Sequence, residues 1–146
     1  MTQRWRIPQP FEEVDHTADA GVVVHGRNEA EALALLVLAL GQLLAGGEDV
    51  TRTADVQISI GPGTKDSLAV DVLRELLYRF DCDHVIPESC QVDVFSPEVG
   101  AQVTVGVGEY DPERHSEGLE LKAVTLHEAR FEAEDDGFVA QVIFDL

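Results

Sequence analysis

The chain has 146 residues, 45% of them hydrophobic, which fits one compact domain. Its ten Lys and Arg residues against 28 Asp and Glu residues give a formal net charge of −18. This charge argues against strong direct binding to nucleic acid or to an anionic membrane surface, because both require clustered basic side chains. The longest strongly apolar stretch, residues 32–45, is shorter than the roughly 20 residues that span a bilayer, so we expect no transmembrane helix.

The N-terminal sequence and the cysteine content predict a cytoplasmic chain. Residues 1–8 lack the apolar segment and the small-residue cleavage site of a signal peptide. The two cysteines, Cys82 and Cys90, are too few for a disulfide framework, and their spacing does not match a zinc site. We therefore expect both thiols to be reduced and structurally ordinary.

The first predicted elements are two short extended segments and a long apolar helix. The extended segments, residues 11–15 and 20–25, flank a polar stretch. Asn28 then provides a good N-cap, with Glu31 at the capping-box position. Leucines recur at helical spacing up to Gly46, which can end the helix in a left-handed turn. Because nearly every face of this helix is apolar, we expect it to lie deep in the fold.

The remaining elements predict an α+β fold. Residues 56–60 alternate as in a half-buried strand, and residues 65–80 carry an amphipathic helical pattern. Further strands are predicted at residues 90–95, 101–107, 120–131 and 137–144, and the last two form a hairpin closed by Asp136-Gly137. The order of elements predicts a single domain in which a mostly antiparallel sheet packs with two main helices.

The stretch from Asp15 to Asp19 is the first candidate site. It combines two carboxylates with the imidazole of His16 and a hydroxyl, and carboxylate oxygens suit hard cations such as Mg²⁺, Ca²⁺ or Mn²⁺. Two carboxylates do not complete a metal cage. In the alternative interpretation, Asp15 and Asp19 accept hydrogen bonds from turn amides and His16 is a polar loop residue.

The end of the sequence is the second candidate. Asp145 follows the last predicted strand, and the carboxylate of Leu146 lies one residue away. If that strand ends beside the loop at residues 15–19, these groups would add oxygen ligands. The alternative is a frayed terminus in which Asp145 has no role.

Lys122 is the third candidate, because it is one of only two lysines in an acidic chain. Extended geometry would place Thr125 and His127 together on the opposite side of this segment. Alternatively, Lys122 only balances nearby carboxylates. His84 and His115 follow turn-like sequence, and we expect them to be solvated loop residues.

Motifs of stand-alone enzymes are missing from the sequence. There is no phosphate-binding Gly-x-x-x-x-Gly-Lys loop, no Gly-x-Ser-x-Gly elbow and no His-Glu-x-x-His metal motif. Neither cysteine has a convincing histidine partner in the sequence. We therefore assign no catalytic residue.

Several motifs, in this order, resemble the archease family. They are Phe-Glu-Glu-Val-Asp-His-Thr-Ala-Asp at residues 11–19, Gly21 and Gly26, Leu-Leu-Tyr at residues 76–78, Leu-Lys-Ala-Val-Thr-Leu-His at residues 121–127 and the final Phe-Asp-Leu. The resemblance covers residues 11–146 as an archease-like domain and leaves residues 1–10 as an N-terminal extension. The chain departs from the family at Leu146, where isoleucine is usual, and at Leu126, where tyrosine more often precedes His127.

The resemblance implies an accessory protein rather than an enzyme. Archeases promote guanylylation and multiple turnover of the GTP-dependent RNA ligase of the RtcB type, which joins tRNA exons. The family binds a divalent metal through positions that correspond to Asp19, Asp145 and the carboxylate of Leu146. Its functional lysine corresponds to Lys122 and its first motif acid to Asp15.

Two other functions stay open. One is a metal-binding, chaperone-like modulator of a tRNA-modifying enzyme. The other is a small metal-dependent hydrolase with Asp15 and His16 as acid–base residues. The acidic surface fits either docking against a basic partner or adaptation to a salt-rich host.

Overall fold

A computed structural model describes residues 2–15 and 19–146. Within these residues the chain forms eight strands and two helices. In chain order they are β1 (Arg4–Arg6), β2 (Glu12–Asp15), β3 (Asp19–Gly26), α1 (Glu29–Ala45), β4 (Ala54–Ile60), α2 (Lys65–Asp83), β5 (Val85–Ser96), β6 (Gly100–Glu109), β7 (Ala123–Glu134) and β8 (Gly137–Asp145). Neither described helix is long and apolar enough to cross a membrane.

The strands divide into two four-stranded antiparallel sheets. The first has the order β1-β5-β6-β4, and the second has the order β2-β3-β8-β7. Both helices contact both sheets: α1 packs on β5 and β3, and α2 packs on β7, β5 and β4. The predicted α+β class with two helices is confirmed, and the structure adds the division of the strands between two sheets.

Helix α1 lies in the centre of the molecule, as its sequence predicts. The side chain of Asn28 accepts a hydrogen bond from the backbone N–H of Glu31 at 2.9 Å, and Gly46 ends the helix in the left-handed conformation with φ of 65°. A side-chain carbon at Gly41 would collide with the main-chain oxygen of Pro87 in β5. Close contact between α1 and the first sheet therefore requires glycine at this position.

The strand boundaries differ from the predicted ones where the alternation of apolar residues breaks. Strand β5 begins at Val85, five residues before the predicted start. The sequence pattern missed this start because register shifts after Pro87 and Val92 interrupt the alternation of apolar and polar residues. Strand β7 begins at Ala123 rather than residue 120 and continues to Glu134. Its register with β8 also shifts, between Thr125 and Arg130.

Residues 1–10, which the sequence predicts to be an extension, contain β1. Its central residue, Trp5, is only 8% exposed and packs in the hydrophobic core. The indole N–H donates to Glu31 Oε2 at 3.1 Å, and Arg27 Nη2 donates to the same oxygen at 2.9 Å. The hydrogen bonds from Arg27 hold the pKa of Glu31 below its usual value, against the opposing effect of burial. The buried Glu31 carboxylate thus ties β1 to the start of α1.

Candidate metal-binding site

Asp19 and Asp145 are brought together by the pairing of β3 with β8. Asp19 is the first residue of β3 and lies directly opposite Asp145, the last residue of β8. Directly opposed residues of antiparallel strands project from the same face of a sheet. Their neighbours Ala20 and Phe144 are buried, so by alternation the two carboxylates lie on the face away from the helices.

The local electrostatics of this acid pair fit a cation. No described Lys, Arg or His nitrogen lies within 4.0 Å of either carboxylate. Asp19 Oδ1 is buried and has no hydrogen-bond partner among the described residues. Two like charges in opposed positions repel each other, and an unpartnered buried oxygen costs free energy. A bound divalent cation would remove both costs.

The described side chains do not complete a metal cage by themselves. Among the side chains that the structure describes, which exclude those of residues 15–18, no three His, Cys, Asp or Glu side chains cluster closely enough to hold an ion. An ion on the acid pair would therefore need further oxygens, from the main chain or from water. Leu146 follows Asp145 directly and is 40% exposed, so its main-chain oxygens are the nearest candidates by sequence.

Lys122 lies next to the acid pair through the main chain. Its backbone N–H donates to the Asp145 carbonyl oxygen at 2.8 Å, and the following residue, Ala123, is opposite Asp145. The side chain is exposed. It has no carboxylate within 4.0 Å among the described side chains, whereas all eight arginines and Lys65 each have one. The interpretation of Lys122 as a simple charge balance is thus not supported by any described contact.

The structure does not bring His127 into contact with the acid pair. It lies in the register shift of β7, next to Glu128, which has a left-handed φ of 57°. The His127 side chain is 78% exposed, and its Nε2 approaches Glu128 Oε1 at 4.0 Å. Its backbone N–H donates to Thr125 Oγ1 at 3.0 Å.

Asp15 and His16 remain predictions. Asp15 ends β2 with its Cα opposite Ala20, one residue from Asp19 in β3. His16 lies outside the described residues. The hydrolase alternative depends on these two residues and therefore also stays a prediction.

The prediction that His115 is a solvated loop residue is wrong. Its side chain is only 3% exposed, because it joins two loops: Nδ1 accepts from the backbone N–H of Asp111 at 2.9 Å, and Nε2 lies 2.8 Å from the Asp49 carbonyl oxygen. His84 is exposed and ends α2 in the left-handed conformation, as expected for a turn residue.

Sequence reasoning overlooked two residues of α2 that lie beside Lys122. Arg74 Nε donates to the Val124 carbonyl oxygen at 2.9 Å and so joins α2 to the start of β7. Tyr78 is 62% exposed. Interaction with the neighbouring Cys82 thiol raises the pKa of Tyr78 above its usual value. The sequence did carry a signal for Tyr78, because a large aromatic residue on the charged face of an amphipathic helix is expected to be exposed.

The fold and the acid pair define a small α+β protein with a candidate cation site at one end of a four-stranded sheet. The family model described as the archease protein family matches residues 11–146. Protein archease of Methanopyrus kandleri is 34% identical over 139 residues, covering 94% of this chain and 99% of the relative. An archease-like protein of Dictyostelium discoideum is 30% identical, covering 93% of each chain.

Two solved structures share the fold. The solution structure of Methanobacterium thermoautotrophicum protein 1598 has a TM-score of 0.74 and 29% identity, covering 93% of this chain and 98% of its own. A crystal structure from Thermotoga maritima, described as an archease and possible chaperone, has a TM-score of 0.58. It is 19% identical and covers 97% of this chain and 99% of its own, so it supports the fold alone. The chain belongs to the archease family.

Proposed function

We propose that this protein is a cytoplasmic accessory factor that activates an RtcB-type RNA ligase in tRNA splicing, rather than an enzyme. Membership of the archease family supports this assignment, since the resemblance implies a protein that promotes guanylylation and multiple turnover of that ligase. The structural observation that carries the proposal is the directly opposed pair of Asp19 and Asp145.

In this proposal the acid pair holds a divalent cation, Ca²⁺, Mg²⁺ or Mn²⁺. Asp19 and Asp145 provide carboxylate oxygens, and Leu146 provides a main-chain or terminal oxygen. When bound, the ion supplies a concentrated positive charge at the end of the second sheet, where it can interact with phosphate or carboxylate oxygens of the partner. The protein positions the ion through the fixed register of β3 and β8.

The charge of the chain favours a basic partner surface. A ligase that binds RNA needs clustered Lys and Arg, and a net charge of −18 is complementary to such a surface. Association should then be fast at low ionic strength and slower when salt screens the charges. The acidic face of the protein would therefore dock on the ligase and would not bind RNA strongly.

The test is RNA joining by the ligase of the same organism, with GTP and Mn²⁺ and RNA in large excess over ligase. Adding this protein should raise both the number of turnovers and the yield of ligase–guanylate. Asp145→Asn should remove most of the gain, because it leaves a single carboxylate. Asp136→Asn is the matched control: it removes the same charge at the opposite end of the same hairpin and should keep the gain.

Three results would overturn the proposal: no stimulation by the unaltered protein, equal losses in both variants, or full stimulation by Asp145→Asn. If the unaltered protein does not stimulate joining, the chaperone-like alternative becomes the leading one. Capture of partners with this chain would then test it, with a tRNA-modifying enzyme as the expected partner.

A further inference from the structure

A cleft of about 350 Å³ lies between α2 and the start of β7. Its polar lining comes from Arg74, Tyr78 and Asp81 of α2 and from Lys122. This volume is at the lower end of the range for small-molecule sites. The cleft lies at the same end of the second sheet as the acid pair but on the helix side, because Ala123 in its wall is opposite Asp145.

Lys122 is the first reason to expect an anion in this cleft. Each of the other nine basic side chains has a carboxylate within 4.0 Å, although the chain carries 28 Asp and Glu. Among the described side chains Lys122 has none. Within the part of the chain that the structure describes, no carboxylate occupies its ammonium group, whose three N–H donors suit a phosphate.

Arg74 places a second cation in the same cleft. Its Nε donates to the Val124 carbonyl oxygen at 2.9 Å, which fixes the guanidinium against the wall of the cleft. Nη1 lies 3.5 Å from Asp71 Oδ1, at the edge of hydrogen-bond distance. Because a guanidinium has five N–H donors, Arg74 retains donors for an anion.

Tyr78 adds an aromatic surface. It is 62% exposed, the largest exposed fraction among the large hydrophobic residues of the described chain. An exposed aromatic ring beside two cations is the combination on which nucleobases stack while their phosphates are held. Asp81, the acid in the lining, can accept hydrogen bonds from ribose hydroxyls or from base amino groups.

We propose that this cleft binds the phosphate of a nucleotide through Lys122 and Arg74, with the base stacked on Tyr78. The source of the nucleotide is either a free mononucleotide or the 5′-phosphorylated end of an RNA, since both present the same phosphate beside a base. The proposal goes beyond ligase activation and holds whether or not the protein stimulates a ligase.

The test is an NMR titration of the full ¹⁵N-labelled chain with adenosine 5′-monophosphate in EDTA, which removes any contribution from metal. Amide signals of Arg74, Tyr78, Lys122 and Ala123 should shift. Lys122→Met should raise the Kd for the nucleotide about tenfold, the effect expected when one charge-assisted hydrogen bond is lost. Lys65→Met, the matched control at the other lysine, should leave Kd unchanged, because Lys65 pairs with Glu29 at 2.9 Å outside the cleft.

The role of the ring is tested separately. Tyr78→Ala should weaken binding of the mononucleotide several-fold and leave weak binding of inorganic phosphate unchanged. A 5′-phosphorylated RNA oligonucleotide is titrated in parallel. A lower Kd for the oligonucleotide indicates an RNA end as the ligand, and a lower Kd for the mononucleotide indicates a free nucleotide. Absence of shifts at millimolar nucleotide, equal weakening by Lys122→Met and Lys65→Met, or equal binding of adenosine without phosphate would overturn the proposal.

Discussion

At the level of single residues, Asp19 and Asp145 are directly opposed carboxylates, a placement that like-charge repulsion makes unfavourable without a cation between them. They occupy opposed positions with no described cation nearby, and Asp19 Oδ1 is buried without a hydrogen-bond partner among the described residues. Such an arrangement persists in a fold when a ligand that stabilises it compensates for the cost.

This arrangement predicts that Asp145→Asn stabilises the protein in EDTA. Removing the repulsion should raise the free energy of unfolding by about 0.5–1 kcal/mol, since opposed like charges are destabilising by this order. The new amide can also donate to Asp19 Oδ1. Urea unfolding of both proteins, in EDTA and in excess Ca²⁺, measures the effect.

In excess Ca²⁺ the order should reverse, because only the unaltered protein gains stability by binding the ion. A variant that is less stable than the unaltered protein in EDTA would contradict the interpretation of the pair as a metal site. Asp136→Asn, with no opposed carboxylate in the register, should change little in either condition.

At the scale of elements, the sequence predicts what is local and misses what depends on pairing. Helix α1 is predictable because its N-cap, its leucine spacing and its final glycine are all local signals. The early start of β5 is not, because its register shifts depend on β6. The pairing of Asp19 with Asp145 depends on the long-range register of β3 on β8, which no local pattern encodes.

Side-chain contacts across the second sheet give it a pH dependence. His25 in β3 lies with Nδ1 2.8 Å from Glu134 Oε1 in β7 and with Nε2 3.4 Å from Glu12 Oε1 in β2. The hydrogen bond with Glu134, opposed by burial and aided by the charges of both glutamates, raises the pKa of His25 above its ordinary 6.5. The folded protein therefore holds a proton that the unfolded chain releases.

The stabilisation by His25 should be complete below pH 6.5 and should be lost as the pH rises through the raised pKa of the folded state. Because the His25 side chain is half exposed, we expect less than about 1 kcal/mol and a change in Tm of a few degrees. Comparing the Tm of the protein and of His25→Gln at about pH 6 and about pH 8.5 tests this, because the imidazole titrates between these values. The unaltered protein should exceed His25→Gln in Tm by more at the lower pH than at the higher. The opposite result would contradict the assigned role of His25.

At the scale of the whole molecule, the net charge of −18 is itself a destabilising feature. Repulsion among 28 acidic residues opposes the compact state, and salt screens it. We expect Tm to rise as KCl increases from about 0.05 M to about 1 M, since the screening length falls to about 3 Å. Differential scanning calorimetry measures this change in Tm. Chloride is used rather than sulfate, because sulfate also stabilises proteins through its exclusion from the protein surface.

A Tm that does not change with KCl would show that the acidic side chains lie far enough apart for their repulsion not to destabilise the fold. Its main role would then be docking rather than adaptation to salt. A rise in Tm is compatible with docking as well, because the same charges attract a basic partner.

The central claim is that the Asp19–Asp145 pair binds a divalent cation, and paramagnetic broadening by substoichiometric Mn²⁺ tests it residue by residue. Amide signals of Asp19, Ala20, Ala123 and Asp145 should broaden first. Asp145→Asn should abolish this pattern, and Asp136→Asn should preserve it. Broadening that is centred on another acidic region, or that survives Asp145→Asn at Asp19 and Ala123, would contradict the claim.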